Sequence, residues 1–304
     1  MLIREPIAAG TFYPPQAEAC REELKRLFSD SASEWKTEPL FGGLVPHAGW
    51  RCSGGVTAKV FAALSGGARA VTPKRSADTP NDNEAVIILF GGVHRYRGRK
   101  AAMFTRGRWQ TPLGPIDVNA RLAERILDES SLIVDDADAH RDEHSLEVQM
   151  PFVKYVLPAA TILPIMVPCD DAAVDVGLSV AAALNAADCE VVIIGTTDLT
   201  HYGPRYGFTP QGLGADANDW AKQVNDRRFL DLVCDMKSEQ VVPQSVEYRN
   251  ACSGGAVAAT IAAVAALGAT RGVLLDHTTS SEVLFTPGGP VAQDSVGYAG
   301  VVFN

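Results

Sequence analysis

The sequence predicts an α/β fold with a central, mostly parallel or mixed β-sheet flanked by helices on both faces. Two patterns support this. Short β-branched runs bounded by glycine recur along the chain, and Ala/Leu-rich stretches of helical length separate them. The runs are continuously apolar and do not alternate polar with apolar, as expected of strands covered on both sides.

Taken in order, residues 16–29 form a first amphipathic helix, and the short apolar run Gly43-Leu44-Val45 ends just before His47. A helix is expected over 54–64 and a strand over 85–90 (AVIILF). Helices over 118–129 and 145–156 lead to a strand at 161–167 (TILPIMV), a helix at 172–187 and a strand at 190–195 (EVVIIG). Helices at 216–235 and 252–267 precede the last two strands, 272–276 (GVLLD) and 297–303 (GYAGVVF). Residues 65–84 (SGGARAVTPKRSADTPNDNE) break this rhythm. They are polar and rich in Gly, Pro, Asp and Asn, which predicts a flexible insertion loop. No repeat and no boundary shows itself, so residues 1–304 are expected to form a single domain.

Bulk chemistry narrows the function. A net charge of −9 without a Lys/Arg cluster argues against nucleic acid as a partner. The nearest basic run, Arg95, Arg97, Arg99 and Lys100, suits a small anion or a solvated loop. Six cysteines contain no C-x-x-C pair, so no disulfide framework is expected and the compartment reads as reducing and cytoplasmic. The opening MLIREPIAAG lacks the apolar core of a signal peptide, and the longest apolar run, 256–269, is too short for a bilayer. No membrane partner is expected.

In open α/β sheets, ligands gather beyond the carboxyl ends of strands. His47, His94 (after AVIILFGG), and Asp198 with His201 (after VVIIGTT) all fall there. Cys252 opens a helix, where backbone N–H groups favour a thiolate. A lone loop histidine is ordinarily a hydrogen-bonding residue. Glycines beside His47 and His94 nevertheless permit sharp turns and close approach, and two histidines with one anionic ligand can hold Fe(II) with positions left open. Two rival patterns exist. His140-Arg141-Asp142-Glu143-His144 matches the H-x-x-E-H pattern of zinc proteases, although the acidic residues upstream read as a connection and not a helical face. Cys252 with a histidine base would instead make a Cys-dependent hydrolase.

Six motifs occur in one order: AGTFYP from Ala9, VPHAGW-x-CSG from Val45, GGVH ending at His94, DEHSLEVQMPF from Asp142, TTDLTHYG through Asp198 and His201, and ACSGG containing Cys252. The chain thereby resembles the Memo family, the Memo components of the prokaryotic AmmeMemoRadiSam system and their eukaryotic relatives. The resemblance runs from near residue 5 to the GYAGVVF segment. It departs at Trp50, where relatives carry Tyr, and at Thr196-Thr197, where they carry Ser-Ser or Thr-Ser. His140 lies outside the family motif, whereas His144 lies inside it. The resemblance implies a fold similar to class III extradiol dioxygenase catalytic subunits. His47 and His94 would be metal ligands, with Cys252 where the dioxygenases supply a glutamate and Asp198 the nearest carboxylate. His201 would be the acid/base, and Tyr13, Trp50, His144 and Tyr202 would line the pocket. Iron is the expected cofactor, with copper or zinc as alternatives, because a thiolate is softer than a carboxylate. The implied functions are a metal-dependent oxidoreductase acting on a small molecule, or a non-catalytic protein that binds metal or a peptide. A radical-SAM system partner is implied for the prokaryotic members.

Overall fold

The computed structural model describes residues 2–31, 39–66, 85–185, 187, 189–289 and 291–304. Its main sheet comprises β1 (Gly42–Val45), β2 (Val86–Gly91), β3 (Ala101–Met103), β4 (Ile133–Asp135), β5 (Thr161–Met166), β6 (Val191–Thr196), β7 (His201–Tyr202), β8 (Gly272–Thr279) and β9 (Ser295–Phe303). The order is β7-β9-β1-β6-β2-β5-β3-β4, with β8 paired along β9. Neighbours from β1 through β6 and β2 to β5 are parallel, while β9 meets β1, β7 and β8 antiparallel. The sheet is therefore mixed around a parallel core. Every residue of β1, β2 and β6 is buried, which is why these runs carry no polar alternation.

The helices are α1 (Ala17–Ser29), α2 (Trp50–Gly66), α3 (Ala120–Glu129), α4 (Met150–Val156), α5 (Ala173–Asn185), α6 (Ala215–Trp220), α7 (Arg227–Cys234), α8 (Ser238–Tyr248) and α9 (Gly254–Leu267), with one further turn at Ser280–Val283. They cover both faces. A Cβ at Gly43 would lie 2.5 Å from Val60 of α2, and one at Gly195 would lie 2.3 Å from Thr260 of α9 and 3.2 Å from Leu44. Successive residues of a strand point to opposite faces, so Gly43 looks toward α2 and Leu44 toward α9. Glycine at 43 and 195 lets these helices approach the sheet closely.

Several elements differ from the sequence expectation. The 272–276 strand runs on to Thr279 and is half-buried, because it lies outside β9 and carries an irregularity between Leu274 and Asp276. Helix α2 begins at Trp50, earlier than expected. The helix expected over 216–235 is α6 and α7 joined through a π-helical stretch, Ala221–Asp226. Helix α8 contains Pro243, and β3, β4 and β7 are only two or three residues long, so their periodicity gives no signal. The expected 65–84 loop lies outside the described residues except for Ser65 and Gly66, which end α2. Among the described residues, no helix is long and apolar enough to cross a membrane.

The N-terminal segment is anchored by a buried ion pair between Arg4 and Glu147. Glu147 also accepts from the backbone N–H of Ile7 (3.0 Å) and Ala8 (2.8 Å) and from the Tyr13 hydroxyl (2.7 Å). Arg4 in turn donates to the carbonyls of His140 (3.3 Å) and Glu143 (2.7 Å) and lies over the Trp109 ring. The His140 ring is fully buried between Phe104 and Trp109, with Nε2 3.0 Å from the Ala102 carbonyl.

Removing one partner of a buried pair strands the other charge. Arg4→Met is therefore expected to lower the free energy of unfolding by about 3–5 kcal/mol, as read from urea titrations. An unchanged midpoint would show that the pair carries no such burden. A second prediction concerns pH. Burial holds His140 at about 4, below its ordinary 6.5. The unfolded chain takes up this proton first, so stability should fall as pH drops through that window, by up to roughly 3 kcal/mol, and level off below it. His140→Gln should flatten that part of the stability–pH curve.

Candidate metal centre

The centre is assembled by register. Val45 of β1 lies opposite Thr196 of β6, and Phe90 of β2 lies opposite Gly195. The three parallel strands therefore end at one level, and the loops that leave them carry His47, His94 and Asp198. Cys252 arrives on the turn between α8 and α9, just before the helix that begins at Gly254. It is fixed to the β6 loop twice: its N–H donates to the Asp198 carbonyl (3.1 Å), and the Asp198 N–H donates to its Sγ (3.3 Å). A Cβ at Gly92 would lie 2.0 Å from the Ser253 hydroxyl, and one at Gly91 would lie 2.5 Å from Leu146. The paired glycines ahead of His94 are what allow these segments to close on one another.

Two groups of donors converge among the described residues, His47–His94–Cys252 and His94–Glu143–His144, each with ligand atoms within 4.8 Å of one another. Ring geometry separates them. An imidazole nitrogen offers its lone pair in the ring plane. His47 and His94 are nearly perpendicular at 86°, with centroids 5.3 Å apart, so their planes can meet at one ion. His94 and His144 are stacked at 24° and 4.7 Å, an arrangement that suits ring packing more than a shared ion. Glu143 is also fully engaged: it accepts from the His94 backbone N–H (2.9 Å) and the Ser145 N–H (2.8 Å), and lies 2.9 Å from His94 Nδ1. The first group is the candidate centre. His47 Nε2 lies 3.2 Å from Cys252 Sγ, while its Nδ1 lies 3.1 Å from the Thr196 hydroxyl.

The electrostatics match a thiolate held by imidazoles. Burial alone would raise the Cys252 pKa, but the charge and hydrogen bond of His47 and the hydrogen bond of His94 hold it well below the ordinary thiol range. His47 is pushed up despite burial, by Cys252 and Asp198. Hydrogen bonds to Cys252 and Glu143 push His94 up to about 10. Burial would raise Glu143, yet His94 holds it well below the carboxylate range. Burial and the neighbouring charges of His47 and His94 hold His144 down to about 4. Burial raises Asp198.

The other expected site residues divide. Asp198 is buried, and its Oδ1 accepts the His47 N–H at 2.8 Å, so it braces a histidine from behind. His201 is half-buried, 5.0 Å from the Tyr206 ring, and close enough for its charge to act on Asp198 and Cys252. His144 sits against both His47 (5.6 Å) and His94. Three aromatics occupy the interior instead. Tyr13 is stacked on Trp50 with its hydroxyl given to Glu147, and Trp50 donates to the Val148 carbonyl. Tyr202 packs with Ala217 and Ala221, its hydroxyl donating to the Gly212 carbonyl. The H-x-x-E-H residues lie on a short turn, with His140 in the core and Glu143 directed at His94, so they do not share one helical face. Sequence reasoning missed two residues at the centre. Glu143 was visible only within the H-x-x-E-H pattern and the DEHSLEVQMPF motif, and Thr196 only as a departure from the family motif just beyond the expected strand.

The thiolate is open to direct test. In metal-free protein, Cys252 should alkylate with a pH midpoint well below that of an ordinary thiol, whereas burial pushes Cys20, Cys52 and Cys234 the other way. His47→Ala should move the Cys252 midpoint upward. Iodoacetamide rates followed by peptide mass mapping give both values.

The chain matches the Memo-like protein family over residues 4–302. It is 32% identical to a MEMO1 family protein of Thermococcus onnurineus, with all of both chains covered. It is 31% identical to one of Pyrococcus furiosus, covering 100% of this chain and 99% of that one. It is 33% identical to one of Methanosarcina acetivorans, with 99% of each covered. Among solved structures, an uncharacterized protein of Escherichia coli K12 aligns with a TM-score of 0.42 at 12% identity, over 74% of this chain and 87% of that one. With six ordered motifs and full-length relatives in agreement, the chain belongs to the Memo family.

Proposed function

We propose that this Memo family protein holds a transition metal between His47, His94 and Cys252 and uses it in oxidoreductase chemistry on a small molecule. The observation that carries the reading is the convergence of these three donors from three separate loops, with the thiol poised to ionise. Iron is the proposed occupant, with copper and zinc as competitors, since a two-histidine, one-thiolate set accepts all three. When bound, the metal supplies a Lewis-acid and redox centre with coordination positions left for substrate.

The surrounding residues divide the remaining work. Asp198 holds the His47 backbone in place. His201 is the proposed general acid/base, half-buried beside the Tyr206 ring and near Asp198 and Cys252. His144, kept uncharged, offers a neutral hydrogen-bonding face beside the ligands. The cytoplasm is the proposed compartment, since the six cysteines contain no C-x-x-C pair or disulfide-framework spacing. A radical-SAM partner is proposed on family resemblance alone.

One observation favours a second reading. Cys252 Sγ and His47 Nε2 are 3.2 Å apart, the spacing of a nucleophile and its base in a Cys-dependent hydrolase. Metal analysis separates the two. Protein purified without oxygen should carry near-stoichiometric metal by mass spectrometry, and His47→Ala and Cys252→Ser should lose it. Oxygen uptake with catechol-like substrates should then appear and vanish on chelation. Metal-free wild type that refuses iron, copper and zinc sinks the proposal, and activity that survives chelation favours the hydrolase. Metal without turnover marks a binding protein.

A further inference from the structure

We propose that Glu143 is a positioning residue for the metal centre, a carboxylate that fixes the His94 ring so that one nitrogen alone faces Cys252. The inference rests on the metal-centre reading above and adds a residue to it. Glu143 grips one histidine at two points: Oε2 accepts the His94 backbone N–H at 2.9 Å, and Oε1 lies 2.9 Å from ring Nδ1. Two bonds from one rigid carboxylate fix both where His94 leaves the chain and how its ring is turned. Both Glu143 oxygens already act as acceptors, from the His94 and Ser145 N–H groups, so Nδ1 is placed as the donor in the ring contact and Nε2 is left to a ligand. Metal-bound histidines recurrently use such a carboxylate behind the ring, and its loss costs metal affinity.

The carboxylate is itself held. Its side chain is 2% exposed. Its Oε1 also accepts the Ser145 N–H at 2.8 Å, and Arg4 donates to its backbone carbonyl at 2.7 Å. A purely structural role, capping the turn at Ser145, would use neither bond to His94. Among the described residues no carboxylate holds both the backbone and the ring of His47: Asp198 accepts only its backbone N–H. Its Nδ1 faces the Thr196 hydroxyl, which can donate or accept and so dictates nothing. The two histidines should therefore differ: removing the Glu143 carboxylate should weaken the centre more than removing the Thr196 hydroxyl.

The test is zinc affinity at fixed pH, by competition with a chromophoric chelator, for wild type, Glu143→Ala, Glu143→Gln and Thr196→Val. Ring N–H and 15N signals of His94 are recorded with and without zinc. Glu143→Ala should bind zinc roughly 10–100-fold more weakly and lose the exchange-protected Nδ1–H signal. Glu143→Gln keeps one acceptor and should fall between it and wild type, and Thr196→Val should lose less than Glu143→Ala. Affinity in Glu143→Ala within twofold of wild type, with fold and His94 signals unchanged, overturns the inference. So does an equal loss in Glu143→Ala and Thr196→Val. If wild type itself binds no zinc, iron or copper, the metal reading fails separately. The protected Nδ1–H of metal-free protein then still decides whether Glu143 sets the ring.

Discussion

Hydrogen-bonded register among parallel strands is the constraint from which the centre follows. With Val45, Gly91 and Thr196 ending at one level, the residues two or three positions further on have one place to go. A slip of one residue in β1 or β6 would turn every side chain of that strand to the opposite face. It would also carry His47 or Asp198 away from Cys252. Because those strands are wholly buried between α2 and α9, the slipped register would expose or crowd apolar side chains along their length. The packing of the core and the aim of the site are thus set by the same bonds.

Around the centre, charge is arranged in pairs. Cys252 faces two imidazoles, and Glu143 faces one of them from behind. Without an ion, protons on the histidines balance the thiolate. A cation held by these residues would take over that duty and release protons, so its uptake would favour higher pH. A different buried pair, Arg4 with Glu147, ties the N-terminal segment to the stretch that carries Glu143 and His144. The N-terminal segment thereby bears on the stretch beside the site.

Much of this was legible in the sequence. Five strands and most helices announced themselves because each is long and uniform enough for its pattern to register. The two- and three-residue strands β3, β4 and β7 have no pattern to read, and α8 hides behind Pro243. His47, His94 and Cys252 stood out by position, since glycine-flanked residues at strand and helix ends have few structural duties. What position alone did not give is orientation. Tyr13, Trp50 and Tyr202 share motifs with the site, yet turn into the interior, where their polar atoms find partners. Glu143 does the reverse. Its role depends on a contact 49 residues away along the chain, which no local pattern contains.

Strand β9 has a consequence for how the molecule comes into being. Val301 sits between Leu274 on one side and Leu44 on the other, so residues 295–303 fill the interior of the sheet. During synthesis, the edge of β1 that pairs with β9 therefore stays unpaired through more than two hundred residues, even after β6 has covered the other edge. The sulfur of Cys252 likewise reaches His47 only across 205 positions. Contacts of such span close late and slowly. An ion arriving early would meet scattered donors, so any loading would follow folding, and the nascent chain is the form most in need of protection from aggregation.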